Sequence, residues 1–398
     1  MSKLIEKIYE ILEQKEKRMI EIRRFLHENP EVSFKEENTA KFIEDFYKGK
    51  DCVVKTNIGI ASGITVDIQG GSPGKTVALR ADFDALPIEE ETGLEFSSKN
   101  KGVMHACGHD AHTAYLLVLA ETLIEVKESL EGNVRIIHQP AEEAPPGGAE
   151  SMVEAGVLDG VDYVLGIHVM STMPLGSVQY RPNAIQTGRA NFKVTIKGKG
   201  GHGSMPHLAN DAIVAGSYFV TSLQTIISRR ISPFDNAVLT VGSFDGKGAA
   251  NIIKESVTLE GDVRIMSEEA REIVEKEFKN ISNGIEKMFN VECDVNYLND
   301  YPVLVNDYDL TMKVKKALET SKAKEIKEVV ECDPQTPSED FAYYAKEKPS
   351  CFFYVGAHRE GTPMYPHHNP KFYIDEDALL ICAKSMASSL IECLKGEK

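Results

Sequence analysis

The densest set of possible metal donors lies in Met104-His105-Ala106-Cys107-Gly108-His109-Asp110-Ala111-His112. Three histidines, a cysteine and an aspartate fall within nine residues, at the junction of a loop and a helix. Thiolate and imidazole are borderline-soft ligands that suit zinc, nickel or cobalt. If the backbone is extended there, the alternate residues Cys107 and His109 face one point. The bland alternative is a chance cluster around a helix start. A second set is His138-Gln139-Pro140-Ala141-Glu142-Glu143. Two adjacent carboxylates can divide labour, one holding a metal and the other handling a proton. Alone, such a pair reads as solvated surface. Gly166-Ile167-His168-Val169 and Pro366-His367-His368-Asn369-Pro370 add three histidines. Each, taken singly, reads as a satisfied polar residue. Arg80-Ala81-Asp82-Phe83-Asp84 adds two aspartates, either ligands or acceptors that orient a ligand imidazole. The second role is preferred, because the other motifs already supply enough donors for two ions.

These donors need a scaffold that collects them. The first fifty residues read as two helices separated by His27-Glu28-Asn29-Pro30. Apolar runs over 63–68, 76–79, 133–138, 163–168 and 351–355 read as strands, and 111–126 as a helix. Alternating strands and helices predict an α/β fold, a mixed central sheet flanked by helices. The donors then follow strand ends, where open α/β sheets bind ligands. Near residue 184 the pattern changes. Strands over 191–196, 237–244, 256–265 and 292–298 and helices over 211–231 and 267–289 give a β-α-β-β-α-β order. That predicts an inserted ferredoxin-like α+β domain. The expected division is 1–183 with 300–398 for the first domain and 184–299 for the insert.

At 398 residues, two domains are expected. The formal net charge of -16 repels nucleic acid and anionic membrane, so neither is an expected partner. No apolar run reaches the ~18–20 residues of a membrane span. The charged N-terminal segment lacks the apolar core of a signal peptide, and seven cysteines show no paired spacing. Free thiols and a cytoplasmic location are expected.

Jointly, Asp82-x-Asp84-x-x-Pro87, His105-Ala-Cys-Gly-His109-Asp110, Gln139-Pro-Ala-Glu-Glu143 and Gly200-Gly-His202-Gly-Ser204 resemble the M20 metallopeptidase and aminoacylase family. The nearest branch in pattern hydrolyses N-acyl-amino acids, hippurate and indole-acetyl-amino acids. The resemblance runs from Phe25-Leu26-His27-Glu28-Asn29-Pro30-Glu31 to His368-Asn369-Pro370. It implies two divalent ions (Zn, Ni, Mn or Co) held by Cys107, His109, Glu143, His168 and His368. Cys107 would be the shared ligand, where other branches use aspartate, and His367 is the fallback for His368. Asp82 stands where other branches carry a metal-binding histidine, which supports placing Asp82 and Asp84 behind the ligands. Glu142 would be the general base.

By the same resemblance the insert is a lid and dimerisation domain. His202 would polarise the scissile carbonyl, in its own subunit or from a partner. Asn251 and Arg264 would hold the substrate carboxylate. Their bland readings are a turn histidine, a loop-capping Asn and a surface-strand Arg. Ser338-Glu339-Asp340-Phe341 also looks familial, although Ser338 would serve equally as a helix cap. The implied activity is cleavage of N-acyl-L-amino acids or short peptides by a homodimer. The same scaffold would serve a dipeptidase, a carboxypeptidase or an N-acetyl-diamino-acid deacetylase. Two other classes compete: a metal or peptide binder without catalysis, and a thiol enzyme with Cys107 as nucleophile, which chelation would spare.

Overall fold

The computed structural model describes residues 2–60 and 62–395. The chain forms two compact units, one of Met1–Ile185, Val305–Asp333 and Asp340–Lys398, the other of Gln186–Leu304 and Pro334–Glu339.

The first unit is built on an eight-stranded mixed sheet. Its order is Val53–Ile58, Gly63–Gln69, Glu131–Gln139, Ser72–Asp82, Tyr163–Pro174, Ser350–His358, Ser177–Tyr180 and Glu328–Glu331. The four strands from Glu131–Gln139 through Ser350–His358 run parallel. Such strands are buried on both faces and read as apolar runs, as Val77 to Leu79 and Val164 to Ile167 do. Helices His109–Val126 and Ala378–Leu394 pack on these strands and on each other. Both are buried nearly all round, so neither shows a simple apolar stripe.

Three local features depart from the expectations. The first helix breaks at Lys15, giving Ser2–Gln14 and Glu16–Glu28, and a third helix covers Glu37–Phe46. Both amphipathic stretches bury one stripe, Ile8 and Leu12 in the first and Met19, Ile22 and Leu26 in the second. The Ser72–Asp82 strand continues through Arg80 and Asp82, where charge suggested its end. The two sit on one face and pair with each other. His168 does not follow its strand but lies inside it, because Tyr163–Pro174 stays paired with Ser350–His358 beyond that point.

The second unit is a four-stranded antiparallel sheet ordered Ala237–Asp245, Ser256–Ile265, Gly188–Lys197 and Glu292–Asn299. Helices Ala212–Arg229 and Glu268–Phe289 pack together against it. Phe219, Leu223 and Ile226 from one helix and Val274, Phe278 and Ile285 from the other are buried with Phe192, Val194 and Ile196 of the sheet. Burying each of the larger side chains contributes roughly 1.5–3 kcal/mol. Asp211 caps the first helix by accepting from the Ile213 and Val214 amides, and Ser267 caps the second through Ala270. The β-α-β-β-α-β order is the ferredoxin-like layout. Among the described residues, no helix is long and apolar enough to cross a membrane. All seven cysteines are free thiols.

Candidate active site

Register explains why donors far apart in sequence meet. Asp82 pairs with Gln139 across one interface, and Arg80 pairs with Gly166 across the other. The carboxyl ends of Ser72–Asp82 and Glu131–Gln139 therefore stand level, and His168, two residues past Gly166 and inside its own strand, stands beside them. The Ala141-Glu142-Glu143 turn leaves the same edge. His109 opens the helix that follows, with Gly108 at its start at φ +90. A Cβ at Gly108 would stand 2.5 Å from Val169 Cγ2. Only glycine tolerates both that backbone and that approach.

Two groups of donors form there and share one sulfur. Cys107, His109 and His168 place one donor atom each within 4.8 Å of one another, and so do Cys107, Glu143 and His368. Cys107 Sγ lies 3.4 Å from His168 Nε2. His368 Nε2 lies 3.3 Å from Glu143 Oε1. His109 Nε2 is 3.8 Å from Glu143 Oε1 and 4.0 Å from Glu142 Oε2. Tetrahedral bonds of ~2.0–2.3 Å would separate two donors by roughly 3.3–3.7 Å, so these spacings fit ligands of common cations. His109 Nε2 and Glu143 Oε1 are buried without a hydrogen-bond partner. A buried polar atom left so is costly, and a cation bound at each of the two groups would satisfy both atoms.

The remaining ring nitrogens decide which histidines can serve. His168 donates through Nδ1 to the Val169 carbonyl at 2.7 Å, leaving Nε2 to face Cys107. His112 donates through Nδ1 to Asp82 at 2.6 Å and accepts the Val169 amide on Nε2 at 3.0 Å. Both its nitrogens are used, so it is no ligand. His367 points Nε2 at the Val169 carbonyl, 2.9 Å away. His368 has a left-handed backbone, φ 64, held by its amide bond to the Ala106 carbonyl at 2.9 Å. Asp84 accepts from His109 Nδ1 at 3.2 Å, from Ser33 Oγ at 2.7 Å and from the Glu143 amide at 2.9 Å. Asp82 stands one step further back. It orients His112 and pairs with Arg80, and it lies 3.8 Å from His109 Nδ1.

Electrostatics favour a cation. Burial and the Glu143 and Glu142 carboxylates push the Cys107 thiol well above its ordinary range. Burial works against a charged His109, but Asp82 and Asp84 overcome it and push its pKa up to about 10. Burial and the nearby His112 and His367 hold His168 well below the usual range, so it is neutral. A thiol nucleophile needs an electropositive setting, and Cys107 faces carboxylates instead.

The residues expected to touch substrate lie in the second unit. Gly201–His202 pairs with Ile252–Ile253, and Gly203 donates to the Asn251 carbonyl at 2.8 Å. His202 is exposed. The Ser204 amide donates to its Nδ1 at 3.2 Å, which leaves the ring proton on Nε2 as an outward donor. Arg264 donates through Nε to Asp262 at 2.7 Å, and Asp262 also takes Arg189 at 2.7 Å. Asn251 is exposed.

Sequence reasoning missed Arg80, Ser33 and Glu36 as parts of this site, and counted His112 as a possible donor without its role between Asp82 and the Val169 amide. Arg80 bonds Gln139, Asp82 and Asp340. Its one readable signal was the Arg80/Asp82 alternation on a strand otherwise apolar.

Residues 78–392 match the model of peptidase family M20/M25/M40. A Bacillus subtilis protein provisionally named an amidohydrolase is 42% identical over 94% of each chain. A thermostable carboxypeptidase of Saccharolobus solfataricus is 38% identical over 96% of this chain and 97% of its own. The N-acetyl-L-cysteine deacetylase of Bacillus subtilis is 40% identical over 92% of this chain and 85% of its own. Among solved structures, a provisionally named aminohydrolase from methicillin resistant Staphylococcus aureus is 60% identical at a TM-score of 0.93, covering 98% of this chain and 100% of that one. A Bacillus subtilis dinuclear metal-binding peptidase is 31% identical at a TM-score of 0.82, covering 96% and 99%.

Proposed function

This chain belongs to peptidase family M20/M25/M40, and from that premise we propose that it hydrolyses N-acyl-L-amino acids to a carboxylic acid and a free amino acid. It is a hydrolase of amide or peptide bonds that works with metal ions. The observation that carries the proposal is the shared sulfur of Cys107 between two donor groups, with the Glu142 carboxylate 4.0 Å from His109 Nε2. A mere binder has no use for a second acid in that position.

Cys107, His109 and His168 would hold one divalent ion, and Cys107, Glu143 and His368 the other. When bound, such ions supply Lewis acidity that makes water a nucleophile near neutral pH. Glu142 takes the proton from the attacking water and returns it to the leaving nitrogen. His202 donates from Nε2–H to the carbonyl oxygen as the carbon becomes tetrahedral. Arg264 and Asn251 hold the free carboxylate, which lets a chain of net charge -16 accept an anion. Asp84 orients His109, and Asp82 does the same for His112.

Thiolate with imidazole suits zinc, with nickel, manganese and cobalt as alternatives. Metal analysis of protein purified without added ions decides among them. Ile213, Tyr218 and Val238 lie exposed on the second unit, which supports a homodimer through that unit, and light scattering tests it. Seven free thiols support a cytoplasmic location.

The deciding experiment is Glu142→Ala. It should keep both ions while kcat on N-acetyl-amino acids falls by at least ~10². Near-parent kcat would reject Glu142 as the base. A panel of N-acetyl, N-benzoyl and dipeptide substrates fixes the class, and the highest kcat/KM on dipeptides would move the reading to a peptidase.

A further inference from the structure

Glu142 sits in a turn whose two flanking amides are both tied to carboxylates arriving from elsewhere in the chain. The Ala141 amide donates to Glu36 Oε1 at 2.8 Å, and the Glu143 amide donates to Asp84 Oδ2 at 2.9 Å. Ala141 itself has φ 55. A left-handed backbone costs an alanine roughly 1–2 kcal/mol, so something must hold it there. Glu36 is 1% exposed. Although it stands at the start of the Glu37–Phe46 helix, its side chain makes no cap bond to that helix. It is spent on the turn instead.

The segment around Glu36 grips the same region at two more points. The Glu31 carbonyl accepts the Ala85 amide at 2.8 Å, and Ser33 Oγ donates to Asp84 Oδ2 at 2.7 Å. A short piece of the N-terminal region thus clamps both the Asp84 strand end and the Ala141-Glu142-Glu143 turn. The Glu36 carboxyl is kept there against burial and the charge of Asp84, which push its pKa up to about 7. An apolar side chain would fill the space at lower cost, but it could not accept the Ala141 amide.

We propose that Glu36 is a positioning residue that fixes the Ala141-Glu142-Glu143 turn and thereby sets where the Glu142 carboxylate stands. The proposal rests on the reading of Glu142 as the proton carrier.

The test uses full-length enzyme loaded with zinc, measuring kcat, KM, metal content and amide exchange at residues 141–143. Glu36→Ala is expected to lower kcat ~10- to 100-fold with KM and both ions retained, and with faster exchange in the turn. Glu36→Gln keeps an acceptor oxygen at the same reach and should restore kcat to within about threefold, a change of at most ~0.7 kcal/mol. In a Glu142→Ala background, adding Glu36→Ala should cost nothing further. A parent-like kcat in Glu36→Ala, or a loss that only tracks lost metal, overturns the proposal. An additive loss in the double variant overturns the link to Glu142 while leaving the base assignment intact. Full activity in Glu142→Ala alone removes the base assignment itself. If Glu36→Ala does not fold, Glu36→Asp, one methylene short, should show the same kcat loss, and a parent-like kcat there overturns the proposal equally.

Discussion

His109 and His202, both proposed to act in one reaction, lie in opposite surroundings. His109 is fully buried, with Asp84 on Nδ1 and Asp82 close behind. Asp110, next in the chain, is locked by Arg23 at 3.0 Å and by His27 at 2.9 Å. His202 lies on the surface, on a two-residue strand, with Ser204 on its ring. The contrast teaches where stability and function are coupled. Around His109 the carboxylates of Asp82, Asp84 and Asp110 are buried and need protein or metal partners, so one substitution strands several groups. Around His202, water replaces whatever is removed. The first region should therefore fail in metal affinity and fold together, and the second in turnover alone.

Cys107→Ala is the sharpest break. The sulfur is common to both donor groups, so both ions and all turnover should go, as mass spectrometry of metal content would show. Retention of both ions would remove the shared-ligand assignment. Asp110→Ala leaves the buried Arg23 with Glu376 but without its buried carboxylate partner, and should cost ~3–5 kcal/mol in urea unfolding.

That cost should itself depend on pH. Burial works against a charged Asp110, but Arg23 and His27 hold its folded pKa well below the unfolded value of 3.8. The pairing therefore stabilises fully above that value and fades as pH falls below it. The gap between parent and variant should narrow below about pH 4, and a gap that widens there would contradict the sign.

His202→Ala should lower kcat by ~10²–10³, about 2.7–4 kcal/mol, while Tm and metal content stay at parent values. A large drop in Tm would erase the contrast between the regions. Asp84→Asn is the mildest, with metal affinity weakened ~10- to 100-fold in chelator competition. Unchanged affinity would mean that Asp84 holds only the Glu143 turn.

Much of the fold was legible because periodicity is local. The parallel strands announced themselves as short apolar runs, and the second unit's alternation from Asn191 to Ile196 and its helix starts near Asp211 and Ser267 were plain. The extension of Ser72–Asp82 through charged residues was not, since Arg80 looks like a strand end until its partners Gln139 and Asp340 are in place. The break at Lys15 was hidden by an amphipathic pattern that runs through it.

The sequence by itself determined the inventory: a thiol, the histidines and paired carboxylates at strand ends, and glycine at position 108. Only the tertiary structure shows which of their atoms are left open. Position in the chain cannot tell His367 from His368, or exclude His112. A histidine can bind metal only if one ring nitrogen keeps its lone pair, and for His109 and His112 the partner that settles this, Asp84 or Asp82, lies on a distant part of the chain. Nor could Glu36, more than a hundred residues before the turn it holds, be read as part of the site until folding brought its carboxyl to the Ala141 amide.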